Sequence, residues 1–173
     1  MIRAFKGKAP RIHPSAFISE DAYVVGDVEI GENVSIWPGV VIRAYPGKMT
    51  LGRNVNVQDG SVLHSSDPMV IEDNVTIGHS VVVHTSRVGT GSLLGNNSSI
   101  LEYSSVGTEC LIGANAVVSA NSEVPDRSFL VGIPGKVKAP VSQAQLALMK
   151  FTNDSVAKEG QLYKQEGLSH KLD

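Results

Sequence analysis

The sequence is poor in aromatic side chains and almost without cysteine. Phe, Trp and Tyr make up 5% of its 173 residues, and Cys110 is the single cysteine. Compact globular cores are normally built around large rings, so we expect a different kind of packing here. One cysteine cannot form an internal disulfide, so whatever stabilises the fold must also work in a reducing compartment, and we expect a cytoplasmic protein.

A basic surface and a long apolar run are also missing. The chain carries 15 Lys and Arg against 17 Asp and Glu, a net charge of -2, and has no basic cluster that would attract a nucleic-acid backbone. No segment approaches the roughly 20 apolar residues that cross a bilayer, and the N-terminus MIRAFKGKAP lacks an apolar stretch. We therefore predict a soluble protein that has neither nucleic acid nor a membrane as a partner.

The dominant feature that is present is a repeat of six residues. An aliphatic residue recurs at this spacing through most of the chain, and 15 of the 18 intervals between these anchors equal six, which chance does not produce. The anchors, all Ile, Val or Leu, are Ile12, Ile18, Val24, Ile30, Ile36, Ile42, Leu51, Val57, Leu63, Ile71, Ile77, Val83, Val88, Leu94, Ile100, Val106, Ile112, Val118 and Val124.

Small and turn-forming residues fill the other positions of the repeat. The fourth position after an anchor is mostly small, Gly often follows the anchor, and Asn often stands three residues after it. Such residues suit a narrow interior and tight corners. Short strands joined by corners every six residues predict an all-β solenoid, a parallel β-helix with three repeats per coil and coils about 4.8 Å apart. We interpret residues 12 to about 135 as this column, within a domain of residues 1–140.

The pattern changes after Pro140, in residues 141–173. Ser142 and Gln145 have the spacing of a capping box, and apolar residues such as Leu148 and Phe151 follow at helical spacing. We predict a C-terminal α-helix whose apolar face packs on the column or on a neighbouring subunit. The tail GLSHKLD is expected to fray.

Three histidines fall at related positions of the repeat. His64 follows the anchor Leu63, and His84 follows Val83 three repeats later, so the two rings are predicted to stack on one face. Two imidazoles at one strand spacing can bind a single metal ion. His79 lies on the adjacent face and points away from this pair, so it can complete the site only across a subunit boundary. The spacing therefore predicts a metal site shared within an oligomer, most simply a threefold ring.

Charged and amide side chains accompany the histidines. Arg43 lies one coil below His64, while Gln58 and Asp59 lie on the face of His79, one coil below it. We expect an ion pair between Arg43 and Asp59 of adjacent subunits. An alternative is that these three residues shape the interface and take no part in chemistry.

Other reactive residues are assigned no role. His13 and His170 have no stacked partner, and Cys110 occupies the small interior position. Glu102 lies on the face of His84, one coil higher, and is interpreted as a solvated surface carboxylate, with a proton acceptor for the metal-bound water as the alternative.

These residues sit in the stretches VVIRAYPG, NVNVQDGSVLH and VTIGHSVVVH, and the set resembles the gamma-class carbonic anhydrases of the hexapeptide-repeat family. The resemblance covers most of the chain, including VGIPGKVK and the predicted helix, and the combination of QDGSVLH with GHxxxxH is specific within that family. It implies a left-handed parallel β-helix and a homotrimer with three metal sites. His64 and His84 of one subunit and His79 of the next are implied to bind zinc, or iron or cobalt in some members.

The reaction that the resemblance implies is the reversible hydration of a small-molecule substrate, carbon dioxide, to bicarbonate. An open coordination position on the metal lowers the pKa of bound water towards 7, and the resulting hydroxide attacks carbon dioxide. Gln58 is implied to hydrogen-bond the water or the substrate, with Asn56 as a further candidate for that pocket. Arg43 and Asp59 are implied to order the interface.

Three other functions stay open, and the chain departs from the family pattern Ile-Arg-Gly-Asp, because it has Ala44 and Tyr45 in place of Gly and Asp. The first is a metal-binding relative that hydrolyses acyl-CoA thioesters with the same activated water. The second is a structural subunit in which the metal only holds the trimer together. The third, a metal-free acyltransferase, leaves the stacked histidines unexplained.

Overall fold

The fold is a parallel β-solenoid of about seven coils with one C-terminal helix. The computed structural model describes residues 1–170 apart from the side chain of Ser65, and within that range the chain forms 20 strands and the helix α1. Strands in successive coils pair in parallel, and one antiparallel pair closes the C-terminal end of the described column. The predicted fold class is therefore confirmed.

The column has three faces. The first face consists of β1 (Ile2–Arg3), the first parts of β4 (Tyr23–Ile30) and β6 (Val41–Leu51), β8 (Val62–Ser65), β11 (Val82–Val83), β14 (Ser99–Ile100) and β17 (Val117–Val118). The second face consists of β2 (Arg11–Ile12), the remainders of β4 and β6, β9 (Met69–Ile71), β12 (Arg87–Val88), β15 (Ser105–Val106) and β18 (Glu123–Val124). The third face consists of β3 (Phe17–Ile18), β5 (Ser35–Ile36), β7 (Asn56–Val57), β10 (Thr76–Ile77), β13 (Leu93–Leu94), β16 (Leu111–Ile112), β19 (Ser128–Val131) and β20 (Lys136–Pro140).

The aliphatic anchors form vertical stacks inside the column. Every predicted anchor is buried except Ile12, which is half-buried. Ladder pairs join each anchor to the one a coil away, as Leu63 pairs with Ile42 below it and Val83 above it. Burial of one such side chain contributes about 1.5–3 kcal/mol, so the stacks take the place of an aromatic core.

The column begins earlier than the six-residue series indicates. Ile2 pairs in parallel with Val24, so the first coil starts before Ile12. Phe5 and Lys8 exchange backbone hydrogen bonds in a tight turn between β1 and β2. The extra residues of this turn break the spacing, which is why the sequence conceals the first coil.

The Asn residues of the repeat form corners, as predicted. They adopt the left-handed backbone region, which a short amide side chain tolerates better than most residues. Their φ values lie between 54° and 59°, at Asn33, Asn54, Asn74, Asn97, Asn115 and Asn121.

The helix α1 spans Gln143–Gln165 and begins at the predicted capping box. The backbone N–H of Gln145 donates to the side chain of Ser142, and the backbone N–H of Ser142 donates to Gln145 Oε1 at 2.9 Å. The helix runs along strands β3, β5, β7 and β10 of the third face. Within residues 1–170, no helix is long and apolar enough to cross a membrane.

The contact between α1 and the column is close and includes both polar and aromatic groups. Asn153 Nδ2 donates to the backbone oxygen of Asn54 and to Thr76 Oγ1, both at 3.1 Å. Gly160 lies so near the third face that an added Cβ would be 2.9 Å from Ser35 Cβ. The helix therefore docks through an amide, a glycine and an aromatic ring near its C-terminal end, which packs edge-on against two rings of the column.

The apolar face predicted for α1 does not pack on its own column. Leu148 and Phe151 are 62% and 69% exposed. The helix instead turns Met149, Asn153 and Gly160 inward. Packing of the apolar face on a neighbouring subunit stays a prediction.

The chain after α1 returns to the third face. Ser169 forms an antiparallel bridge with Ser19, and the backbone N–H of His170 donates to the backbone oxygen of Ile18 at 2.7 Å. The predicted fraying of the tail is therefore wrong as far as His170. The rest of that prediction falls on residues 171–173, outside the described residues.

Candidate functional site

His64 and His84 lie one above the other on the first face. His64 belongs to β8, where its ladder partner in β6 is Arg43, and His84 directly follows β11. The ring centroids are 5.3 Å apart, with 19° between the ring planes. The register of β8 and β11 sets this arrangement, because the paired anchors Leu63 and Val83 point inward and the residues after them point outward on the same face.

A hydrogen-bond acceptor meets Nδ1 of each of these two rings. His64 Nδ1 lies 2.8 Å from the backbone oxygen of Arg43, and His84 Nδ1 lies 2.9 Å from Glu102 Oε1. Both partners can only accept, so the neutral imidazole must donate from Nδ1. The lone pair of each ring is then at Nε2, the arrangement that second-shell partners give to metal-binding histidines.

His79 follows β10 on the third face, with Asp59 one coil below it. His79 Nδ1 lies 3.1 Å from Asp59 Oδ2, and the two side chains are 52% and 50% exposed. The parallel pairing of β7 with β10 brings the two together. Since the carboxylate of Asp59 accepts at Nδ1, Nε2 of His79 also carries the lone pair.

The three histidines do not converge within one chain. Across the described residues, no three His, Cys, Asp or Glu side chains come close enough together to hold a metal ion. His64 and His84 offer two nitrogens, whereas a catalytic zinc site has three protein ligands and an open position. Imidazole nitrogens suit zinc, iron and cobalt. The donors of one chain therefore fit zinc, iron or cobalt in kind but not in number, and a third imidazole would have to come from another chain.

Gln58, Asp59 and His79 line one cavity of about 340 Å³. The helix α1 contributes Glu159 and Tyr163 to its lining. The sequence did not point to these two residues, because the six-residue repeat ends before α1 and the rotation of the helix on the column depends on contacts that are distant in sequence.

Asn56 does not lie in this cavity, contrary to prediction. Its side chain is fully buried, and its Nδ2 donates to Thr76 Oγ1 at 3.1 Å, beside Asn153 of α1. Asn56 stands directly before the anchor Val57 in β7, and its side chain points outward from the column. The helix α1 covers this position of the third face. Asn56 therefore belongs to the helix contact.

Glu102 lies on the surface, as predicted, with its side chain 48% exposed, and it also accepts a hydrogen bond from His84. Its pKa is below the ordinary value because its own backbone N–H bonds to the carboxylate and His84 adds electrostatic attraction. Both side chains open onto a cleft of about 470 Å³, which Asp67 and Tyr103 also line.

The predicted ion pair between Arg43 and Asp59 of adjacent subunits stays a prediction. Within residues 1–170, the guanidinium of Arg43 forms no ion pair, and Asp59 contacts His79. Tyr45 packs edge-on against Phe5 at a centroid distance of 5.0 Å, and Lys6 Nζ donates to the Tyr45 hydroxyl at 2.8 Å. The tyrosine therefore anchors the N-terminal turn beside Arg43.

Known proteins match both the repeat and most of the chain. Residues 9–44 match the family "Bacterial transferase hexapeptide (six repeats)", and residues 68–102 and 104–122 match "Hexapeptide repeat of succinyl-transferase". A carbonic anhydrase of Geobacillus kaustophilus is 39% identical over 95% of this chain and 91% of its own length. The chain belongs to the gamma-class carbonic anhydrase and hexapeptide-repeat family.

Other relatives of this gamma-class chain are named as carbonic anhydrases or as transferases. A probable carbonic anhydrase of Methanocaldococcus jannaschii is 45% identical over 77% of this chain and 85% of its own length. A crystal structure of a putative acetyltransferase from Bacillus cereus has a TM-score of 0.92 and 36% identity, and the match covers 95% of this chain and 96% of that one. The comparisons establish the fold and the family of this gamma-class member, while the names divide between anhydrase and transferase.

Proposed function

We propose that the chain is a metal-dependent carbonic anhydrase that interconverts carbon dioxide and bicarbonate at sites shared between the subunits of a homotrimer. The observation that carries this proposal is that an acceptor meets Nδ1 of His64, His79 and His84 alike, which leaves three Nε2 lone pairs for a metal ion. The two relatives named as carbonic anhydrases support it.

His64 and His84 of one subunit and His79 of the partner subunit would hold Zn²⁺, with Fe²⁺ or Co²⁺ as alternatives. Such an ion supplies an acidified water molecule at neutral pH, which is the nucleophile that carbon dioxide requires. The residues of the chain then have three tasks, which are to hold the imidazoles, to orient the reactants and to join the two faces.

Arg43, Asp59 and Gln58 would perform these three tasks. The backbone oxygen of Arg43 and the carboxylate of Asp59 hold the rings of His64 and His79. Gln58 lines the cavity of His79 and has an amide that can donate to carbon dioxide or accept from water. The guanidinium of Arg43 and the carboxylate of Asp59 of the partner subunit would pair across the interface.

The test combines metal content with initial rates of carbon dioxide hydration. We expect about one metal ion per chain, with hydration lost in His84→Ala and in a chelated sample and restored when metal is returned. His13→Ala is the matched control, because the imidazole of His13 is exposed and bonds only to Ser15 among the described residues. A protein without metal would overturn the proposal, and metal without hydration would exclude the anhydrase activity.

Hydrolysis of acyl-CoA thioesters is the second candidate. The cleft of about 470 Å³ beside His84 gives room for a substrate larger than carbon dioxide. The same samples, assayed for release of free thiol from acetyl-CoA, decide between the two. Thiol release that depends on His84, without hydration of carbon dioxide, would favour the thioesterase.

A further inference from the structure

Glu102 lies at a well-bonded corner one coil above His84. The backbone oxygen of Glu102 accepts from the N–H of Asn121 at 3.0 Å, and the N–H of the preceding Leu101 donates to the backbone oxygen of Val118 at 3.0 Å. The backbone on both sides of the Glu102 Cα is therefore tied to the next coil. A carboxylate on such a frame presents its oxygens in a defined direction.

The hydrogen bond between Glu102 and His84 can have only one direction, from the imidazole to the carboxylate. Glu102 Oε1 lies 2.9 Å from His84 Nδ1, and the imidazole is the less exposed partner, at 27% against 48%. An ionised carboxylate accepts and never donates, so the proton must lie on Nδ1 of the ring. A neutral imidazole without such a partner exchanges between its two tautomers. The carboxylate therefore selects the tautomer whose lone pair is on Nε2.

We propose that Glu102 is a positioning residue, which holds the ring and the tautomer of His84 so that Nε2 serves as a metal ligand beside His64. This inference rests on the proposed metal site and adds to it a residue outside the histidine motif. The acceptors at Nδ1 of the three histidines differ in whether a substitution can remove them. The backbone oxygen that serves His64 cannot be removed by substitution, whereas the side chain of Glu102 can.

The first test is independent of any metal. Nitrogen-15 NMR of the metal-free protein at about pH 8.5, where an ordinary imidazole is neutral, reports which ring nitrogen of His84 carries the proton. We expect the Nδ1–H tautomer in the wild type and a shift towards the Nε2–H tautomer in Glu102→Ala. The Nε2–H tautomer in the wild type would overturn the proposal.

The second test measures Co²⁺ affinity and the visible spectrum of the bound ion. Glu102→Ala should bind Co²⁺ about 10–100-fold more weakly and change the spectrum, as removal of an outer-shell partner does. Glu102→Gln should lose less, because its amide oxygen can still accept from Nδ1. Glu123→Ala, an exposed carboxylate in β18 on the second face, should match the wild type.

Two outcomes of the second test separate this inference from the proposed function. Equal Co²⁺ affinity in the wild type and Glu102→Ala, with the trimer intact in both, would overturn the role of Glu102 and leave the metal site standing. Failure of the wild type itself to bind Co²⁺ would overturn the proposed function, and the NMR result then decides whether Glu102 positions His84.

Discussion

At the scale of single residues, side chains at the corners of the column bond from one coil to another. Glu72 accepts from Arg87 Nε at 2.6 Å, from the backbone N–H of Thr90 at 2.9 Å and from the Thr90 hydroxyl at 2.8 Å. These donors hold the pKa of Glu72 below its ordinary value, and the hydrogen bond from Arg87 is the largest cause. This corner therefore depends on an ionised carboxylate.

Glu72→Ala should destabilise the column. The substitution leaves Arg87 and Thr90 without their acceptor, and we expect the free energy of unfolding to fall by about 1–3 kcal/mol. Urea unfolding at neutral pH and fixed protein concentration measures this change. Glu20→Ala, at an exposed turn, is the control and should stay within about 0.5 kcal/mol of the wild type.

The contribution of Glu72 should also depend on pH. Because its pKa is lowered in the folded state, the ionised carboxylate stabilises the fold above the unfolded-state pKa of about 4.3, and this stabilisation is lost as the pH falls through the folded-state value. The difference in unfolding free energy between the wild type and Glu72→Gln should therefore shrink towards about pH 3. An undiminished difference at that pH would show that charge plays no part.

Positions that the repeat defines could be predicted from the sequence, and side-chain orientations could not. Counting repeats placed His64 below His84 and Asp59 below His79, because each pair occupies equivalent positions in successive coils. The bond from His84 to Glu102 escaped prediction, since the position equivalent to His84 is Leu101 and the glutamate reaches the ring only through its rotamer.

At the scale of elements, the start of α1 is encoded locally and its docking is not. Ser142 and Gln145 are three residues apart and form the capping box by themselves. The residues that α1 buries are Met149, Asn153 and Gly160, which do not make an apolar stripe. The pattern of hydrophobic residues therefore does not identify the face of the helix that packs on its own column.

Gly160→Leu should displace α1 from the third face. A Cβ at this position would lie 2.9 Å from Ser35 Cβ and 3.5 Å from Phe17 Cδ1, so the helix must move outward. We expect loss of stability of about 1–3 kcal/mol, as for other overpacked contacts, measured by thermal or urea unfolding. Lys158→Leu adds the same side chain at an exposed position of the helix and should change little. Equal effects of the two substitutions would contradict the docking described here.

At the scale of the whole molecule, the solenoid places the three histidines on two faces of the column, so the proposed metal site would need a second chain. The sequence predicted this separation, because His79 stands in a different repeat from His64 and His84. How two columns would meet could not be predicted from one chain, since the predicted pair of Arg43 with Asp59 of the partner subunit depends on surfaces that the repeat leaves unspecified.

Subunits with complementary defects test this dependence. His79→Ala chains keep His64 and His84, and His84→Ala chains keep His79, so neither variant alone can supply a complete set of ligands. In mixed trimers, an interface is complete where the first face of a His79→Ala chain meets His79 of a His84→Ala chain. Random assembly from equal amounts of the two chains gives about one complete interface in four.

The most direct measurement is therefore the metal content of trimers purified after coexpression of His79→Ala and His84→Ala chains. We predict almost no metal in either variant alone and about a quarter of the wild-type content in the mixture, with hydration activity returning in proportion. Absence of any recovery in correctly assembled mixed trimers, or full metal content in either variant alone, would contradict a metal site shared between two chains.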